Sequence, residues 1–88
     1  MIIDREGPVP PYRQIAADLR RQIRDGTIPP GRAIPSMIQL EEQYGVARDT
    51  IRKATNVLKQ EGLVYTVFGM GIFVTDTAAS GPADRPPD

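Results

Sequence analysis

The sequence predicts a small α+β domain, mainly helical, with three amphipathic helices followed by one β-hairpin. Three observations predict it. Core-facing residues recur with a helical period along two long segments: apolar Tyr12, Ile15, Ala16, Leu19 and Ile23, and Ile51, Ala54 and Leu58 with Thr55 on the same face. A short helical segment ends at Gly45, only a few residues before the second of these, which is the spacing of a helix-turn-helix. After Gly62 the period changes, and two runs rich in β-branched and aromatic residues flank Phe68-Gly69-Met70-Gly71.

Each element follows from its own residues. Gly7-Pro8-Val9-Pro10-Pro11 cannot be helical throughout, but a Pro is accommodated in a helix's first turn, so the first helix starts near Pro10. Its five apolar side chains fall within about 100° of a helical wheel. The helix stops at Asp25-Gly26, and Pro29-Pro30-Gly31 prevents its resumption, leaving a turn-rich loop to Ile34. Ser36 is a good N-cap with Gln39 three residues on, matching a capping box; Leu40, Tyr44 and either Met37 or Ile38 supply the apolar side of the short second helix. Val46 plugs the turn, the third helix runs to Glu61-Gly62, and strands are expected at 63–67 and 72–75. This is the layout of a winged helix. The expected organisation is an N-terminal arm at 1–9, the winged helix at 10–75, and a disordered acidic, Pro-rich tail at 76–88, which lacks any bulky apolar residue.

Composition narrows the function. The chain has 88 residues, room for one core, with 11 basic and 11 acidic side chains and no His, Cys or Trp. Disulfides, zinc sites of the usual kind, Ser-His-Asp or Cys-His nucleophiles and histidine bases are therefore excluded, and the chain is expected to be no enzyme and to need no cofactor or metal. Glu41-Glu42, adjacent on a helix, diverge rather than share a site, and Gly69-x-Gly71 lacks the strand-to-helix setting of a dinucleotide fingerprint. No apolar run approaches a membrane span and the N-terminus is unlike a signal peptide, so a cytoplasmic location without membrane contact is expected. The neutral total divides unevenly: residues 1–75 carry ten basic and eight acidic groups, and residues 76–88 one basic and three acidic. Any nucleic-acid binding must then rest on locally concentrated charge.

The third helix concentrates it. Arg48, Arg52 and Lys59 form a stripe beside the core face, and Asp49, Lys53, Asn56 and Gln60 lie nearly opposite the core. Arg48, Asp49, Thr50, Arg52 and Lys53 suit a DNA major groove: Arg pairs bidentately with guanine, Asp accepts from cytosine, and Thr meets a thymine methyl or a phosphate. A solvated face with local ion pairs is the plain alternative. On the first helix Arg13, Arg20 and Arg24 make a row able to neutralise phosphates, Arg13 foremost because it is near the helix start. Ser36 both caps its helix and lies where a phosphate oxygen would meet the helix N-terminus. The hairpin tip, with Gly69 and Met70, is shaped for a minor groove but carries no cation, so Phe68 and Met70 as a core cover or a partner surface stays open. Most of the five aromatics stand at core-compatible positions.

The ordered run Pro11-Tyr12-x-Gln14-Ile15-Ala16-x-x-Leu19-Arg20-x-x-Ile23-x-x-Gly26-x-Ile28-x-Pro30-Gly31, then Ile34-Pro35-Ser36, Leu40, Tyr44-Gly45-Val46-x-Arg48-x-Thr50-Ile51-Arg52-x-Ala54, Leu58, Glu61-Gly62-Leu63-Val64 and Gly69-x-Gly71-x-Phe73-Val74, resembles the DNA-binding domain of GntR-family bacterial transcription regulators. The resemblance covers about residues 8–74. It implies a winged helix whose third helix enters the major groove of a palindromic double-stranded operator, with the wing in the minor groove. With the helix-turn-helix spacing, this leads to the expectation of a transcription regulator that represses by occlusion; if it forms a homodimer on DNA, the two recognition helices should meet successive major grooves. The resemblance also implies DNA contacts at Arg48, Thr50, Arg52, Ser36 and Gly69. Four positions depart from the family pattern: Met37-Ile38 replaces an acidic-basic pair, Ala47 stands where a Ser or Thr cap is common, Thr55 replaces an apolar residue, and the wing lacks a basic residue before Gly69. The uncapped Ala47 is expected to weaken the third helix's start by about 1 kcal/mol unless Asp49 compensates. Family members continue into a larger effector-binding domain, whereas only the short tail follows the wing here, so no small-molecule effector site is expected within this chain. A winged-helix protein-interaction module using the apolar wing is the alternative reading.

Overall fold

The computed structural model describes residues 3, 4 and 6–75. The expected tail at 76–88, and residues 1, 2 and 5 of the arm, lie outside the described residues. The element order is α1 (Pro11–Arg24), α2 (Met37–Tyr44), α3 (Arg48–Gln60), β1 (Val64–Val67) and β2 (Gly71–Val74). The strands pair antiparallel in the register Val64↔Val74, Tyr65↔Phe73, Thr66↔Ile72 and Val67↔Gly71. The winged-helix layout expected from the sequence is thus the layout found.

Local chemistry explains where the elements end. Pro10 caps α1 without a side-chain bond, its carbonyl accepting from Arg13 N and Gln14 N at 3.0 and 3.2 Å, while Arg21 and Arg24 in the last turn complement the helix dipole. The capping box at α2 is complete: Gln39 N donates to Ser36 Oγ at 3.2 Å and Ser36 N donates to Gln39 Oε1 at 2.9 Å. Gly45, at φ +67°, closes α2 in the left-handed conformation that permits the tight turn into α3. Ala47 offers no cap to α3, and Asp49 is the acidic residue in its first turn.

The core is one cluster. Ile15, Leu19 and Ile23 of α1 meet Leu40 and Tyr44 of α2, Ile51, Ala54 and Leu58 of α3, and Val64 and Val74 of the hairpin, with Ile28, Ile34 and Leu63 closing its edges. Thr55, the departure from an apolar position, is buried with its hydroxyl donating to the Arg52 carbonyl at 3.0 Å, so the substitution leaves no polar group unpaired.

Two features differ from expectation. The loop before α2 is more than a turn: Ala33 bridges Phe73, Ile34 N donates to the Ile72 carbonyl, and Val74 N donates to the Arg32 carbonyl, both at 2.9 Å. A segment this short carries no periodicity by which a sequence pattern would reveal it. The strand bounds differ too: β1 begins one residue later than expected, at Val64, and β2 lies one residue earlier, at 71–74, the three-residue connection 68–70 letting Gly71 pair with Val67. The described part of the arm is tied to α1: Gln14 accepts from Asp4 N and donates to the Asp4 and Val9 carbonyls.

Candidate nucleic-acid interface

α3 buries Ile51, Ala54, Thr55 and Leu58 and turns Arg48, Asp49, Arg52 and Lys53 outward, with Thr50 half-buried between the faces. The structure therefore brings the five residues expected to form a recognition surface onto one exposed helix segment. Its charges are already engaged. Arg48 Nε donates to Glu41 Oε2 at 2.7 Å, across the turn between α2 and α3. Asp49 lies between two cations, 3.5 Å from Arg52 Nη1 and 3.6 Å from Lys53 Nζ. These last two pairs are long and exposed, a geometry that holds weakly in water. The local ion pairs of the plain alternative are present, and they coexist with outward-facing cations rather than replacing them.

The row on α1 divides. Arg13 is exposed beside the helix start, its Nε donating to the Tyr12 hydroxyl at 3.3 Å. Arg24 is exposed as well. Arg20 is engaged within the protein: its Nε and Nη2 meet both carboxylate oxygens of Glu61 at 2.8 and 2.6 Å, in a fork that ties α1 to the end of α3. Helical periodicity placed Arg20 on the right face but could not show a partner 41 residues away. Ser36 stands exposed at the start of α2, with Oγ accepting from the backbone in the capping box.

The wing tip is a tight turn. Met70 N donates to the Val67 carbonyl at 2.9 Å, and Gly69 at φ +81° occupies the third turn position, where a positive φ is required. Phe68 is 99% exposed and Met70 71%, so neither covers the core. Tyr65 and Phe73, directly opposite each other, stack with ring centroids 6.3 Å apart and stiffen the hairpin; Tyr65 is also exposed, so the aromatics are less core-bound than the sequence suggests. Ile38 is exposed and Met37 packs against the core, leaving no cation at the start of α2. Sequence reasoning also missed Arg32, exposed in the segment zipped to β2.

A polar network fixes α2, and hence the turn, against α1. The Tyr44 hydroxyl donates to Asp18 Oδ2 at 2.6 Å, Gln22 Nε2 donates to the same oxygen at 3.0 Å, and Arg21 Nη2 reaches Oδ1 at 2.7 Å. Burial alone would push the Asp18 carboxyl up; the bonds from Tyr44, Arg21 and Gln22 together outweigh it and hold the group below the usual carboxylate range. Burial, and then the neighbouring Asp18, raise the Tyr44 phenol above its ordinary value. Among the described residues no group of three or more His, Cys, Asp or Glu could hold a metal ion, and no helix is long and apolar enough to cross a membrane.

This geometry has close counterparts. The profile of the bacterial regulatory proteins of the gntR family matches residues 11–74. The HTH-type transcriptional repressor NagR of Bacillus subtilis (strain 168) is 40% identical over 75 residues, which cover 85% of this chain and 31% of the repressor. The mannosyl-D-glycerate transport/metabolism system repressor MngR of Escherichia coli (strain K12) is 37% identical over 70 residues, covering 80% of this chain and 29% of that protein. The chain thus spans about a third of the length of these relatives. Among solved structures, AraR(DBD) in complex with operator ORX1 superposes with a TM-score of 0.76 at 36% identity, over 85% of this chain and 99% of that one. YtrA from Sulfolobus acidocaldarius, a GntR-family transcription factor, superposes with a TM-score of 0.74 at 36% identity, over 83% of this chain and 77% of that one. With the helix-turn-helix, the wing and the match over residues 11–74 in agreement, the chain belongs to the gntR family of bacterial regulatory proteins.

Proposed function

We propose that the chain is a sequence-specific DNA-binding transcription regulator, acting as a repressor by occluding a palindromic operator. The observation that carries this reading is the exposed face of α3, where Arg48, Arg52 and Lys53 project, with Thr50 half-buried beside them, from a helix braced by the core. A helix of this diameter fits a major groove, and the Arg side chains offer the bidentate donors that guanine accepts. Asp49, between Arg52 and Lys53, serves either as an acceptor for cytosine or as the partner these cations leave on binding.

Affinity in this reading comes from phosphates. Arg13 and Lys53 supply charge, and the Ser36 hydroxyl, whose oxygen already caps α2, still has its hydrogen to donate to a phosphate oxygen. The wing brings Gly69 and Met70 to the minor groove, where an uncharged tip makes apolar contact with sugars instead of a cationic one. As a homodimer, two copies of α3 would stand about 34 Å apart on successive major grooves. AraR(DBD) in complex with its operators supports the partner, and the repressors NagR and MngR support the sign of regulation. The protein-interaction alternative keeps one supporting observation, the exposed Phe68 and Met70, whereas the outward cations of α3 favour DNA.

The test is selection from a randomised duplex pool at two salt concentrations, followed by sequencing. Enrichment of a short inverted repeat with salt-sensitive affinity is expected. An Arg52→Ala change should then cost about 1–3 kcal/mol at that operator. A folded chain that enriches nothing at low salt would overturn the reading in favour of the interaction module.

A further inference from the structure

Of the contacts on the recognition face, the one between Arg48 and Glu41 stands apart. The pairs of Asp49 with Arg52 and Lys53 are 3.5 and 3.6 Å long, lie within one helix, and join side chains at least 60% exposed. Arg48 Nε instead meets Glu41 Oε2 at 2.7 Å, and the Glu41 side chain is only 28% exposed. Glu41 is itself fixed, since it stands in the last turn of α2 and its carbonyl accepts from Gly45 N and Val46 N in the turn. Arg48 is the first residue of α3, so its backbone is set and only its long side chain remains to be oriented. A carboxylate on Nε supplies that orientation: it occupies the Nε position of the guanidinium plane and leaves the fork of the two terminal amino groups for a second partner.

We propose that Glu41 is the positioning residue for Arg48 and a determinant of operator specificity. The inference rests on the reading above that Arg48 meets a base edge. Holding Nε selects the end-on approach, in which the two terminal amino groups pair with guanine O6 and N7, over the side-on approach through Nε. It also removes, before binding, part of the rotamer freedom that an Arg otherwise loses at the interface. The same carboxylate discriminates against wrong DNA. A phosphate responds to net charge, and an Arg already paired with a carboxylate offers it little. A correctly placed guanine responds to the geometry of two donors, which the pairing preserves. Glu41 thereby weakens sequence-independent binding more than operator binding.

The experiment compares the purified chain with Glu41→Ala, which removes the acceptor, and Glu41→Gln, which keeps an acceptor beside Nε without the charge. Each is titrated against the selected operator duplex and a scrambled duplex of equal length, with Arg48→Ala and the Glu41→Ala/Arg48→Ala double variant alongside. Glu41→Ala is expected to strengthen scrambled-duplex binding and lower the operator-to-scrambled ratio about tenfold per half-site. Glu41→Gln should also strengthen scrambled binding but retain the preference for guanine at the position lost in Arg48→Ala. In the Arg48→Ala background, Glu41→Ala should leave the ratio unchanged. Equal strengthening on both duplexes would reduce Glu41 to simple repulsion and overturn the proposal, as would the same loss of ratio with and without Arg48. If Arg48→Ala alone leaves the ratio intact, the assignment of Arg48 to a base fails, and the proposal with it. A chain that binds neither duplex would instead mark the failure of the DNA-binding reading itself.

Discussion

Replacing Arg20 with Ala separates structural from nucleic-acid roles among the arginines of α1. The Arg20–Glu61 pair is a two-pronged fork, at 2.8 and 2.6 Å, between side chains 27% and 36% exposed. Charge-assisted, bidentate geometry places it at the strong end of its class, while partial exposure lets water and salt screen it. After that discount its coupling is about 1 kcal/mol. In a domain of this size, about 1 kcal/mol corresponds to a fall in Tm of about 4–8 °C. The assay is a double-mutant cycle by thermal unfolding, with Arg20→Ala, Glu61→Ala and the double variant. A coupling near that size should appear, and the salt dependence of operator binding should be the same for Arg20→Ala as for the parent chain. The reasoning is refuted if the cycle shows no coupling and Arg20→Ala instead flattens the log-log salt slope by about 0.9, since that would place Arg20 on a phosphate.

Other outcomes follow from the same structure. Arg13→Ala should flatten the salt slope of operator binding by about 0.9 with an unchanged Tm, as read by fluorescence anisotropy across a salt series. Phe68→Ala should weaken operator binding without altering either that slope or the Tm, because Phe68 is 99% exposed and uncharged; an unaltered affinity would remove the wing tip from the interface. Tyr44→Phe should lower stability by about 1–2 kcal/mol in denaturant titrations, because a hydrogen bond to the Asp18 carboxylate is lost. Asp18 makes stability depend on acid: its folded carboxyl titrates below the ordinary value, so its contribution is complete above the unfolded pKa of about 4 and is lost as the pH falls through the lowered folded value. Asp18→Asn should accordingly flatten the loss of Tm below about pH 4.

The faces of this molecule were legible in the sequence, and its partners across elements were not. Ile15, Leu19 and Ile23, and Ile51, Ala54 and Leu58, announce α1 and α3 because a period of 3.6 maps directly onto one buried stripe. Ser36 with Gln39 announces the start of α2 because both halves of a capping box lie within one turn. The exposed, charged face of α3 was readable for the same reason, as the complement of the stripe. Local pattern is silent where two distant segments must first be docked: the Arg20–Glu61 fork spans 41 residues, the Tyr44–Asp18 bond 26, and Ala33 bridges Phe73 through backbone groups that every residue carries. The wing is an intermediate case: the apolar types of Phe68 and Met70 left a core cover open, and only the structure, in which both are exposed, closes that option.

The strip of backbone from Arg32 to Ile34 makes a single lever of two parts that are usually considered separately. Ile34 is hydrogen-bonded to Ile72 in the second strand of the wing, and two residues further on Ser36 begins α2. With so little chain between them there is no slack. Were the wing pressed into a groove, a displacement of β2 would draw the first turn of α2 with it through these bonds. In the DNA-binding reading proposed above, fit at the tip and fit at a phosphate beside Ser36 would be felt together, and a duplex whose two grooves are wrongly spaced would strain both ends of the lever at once.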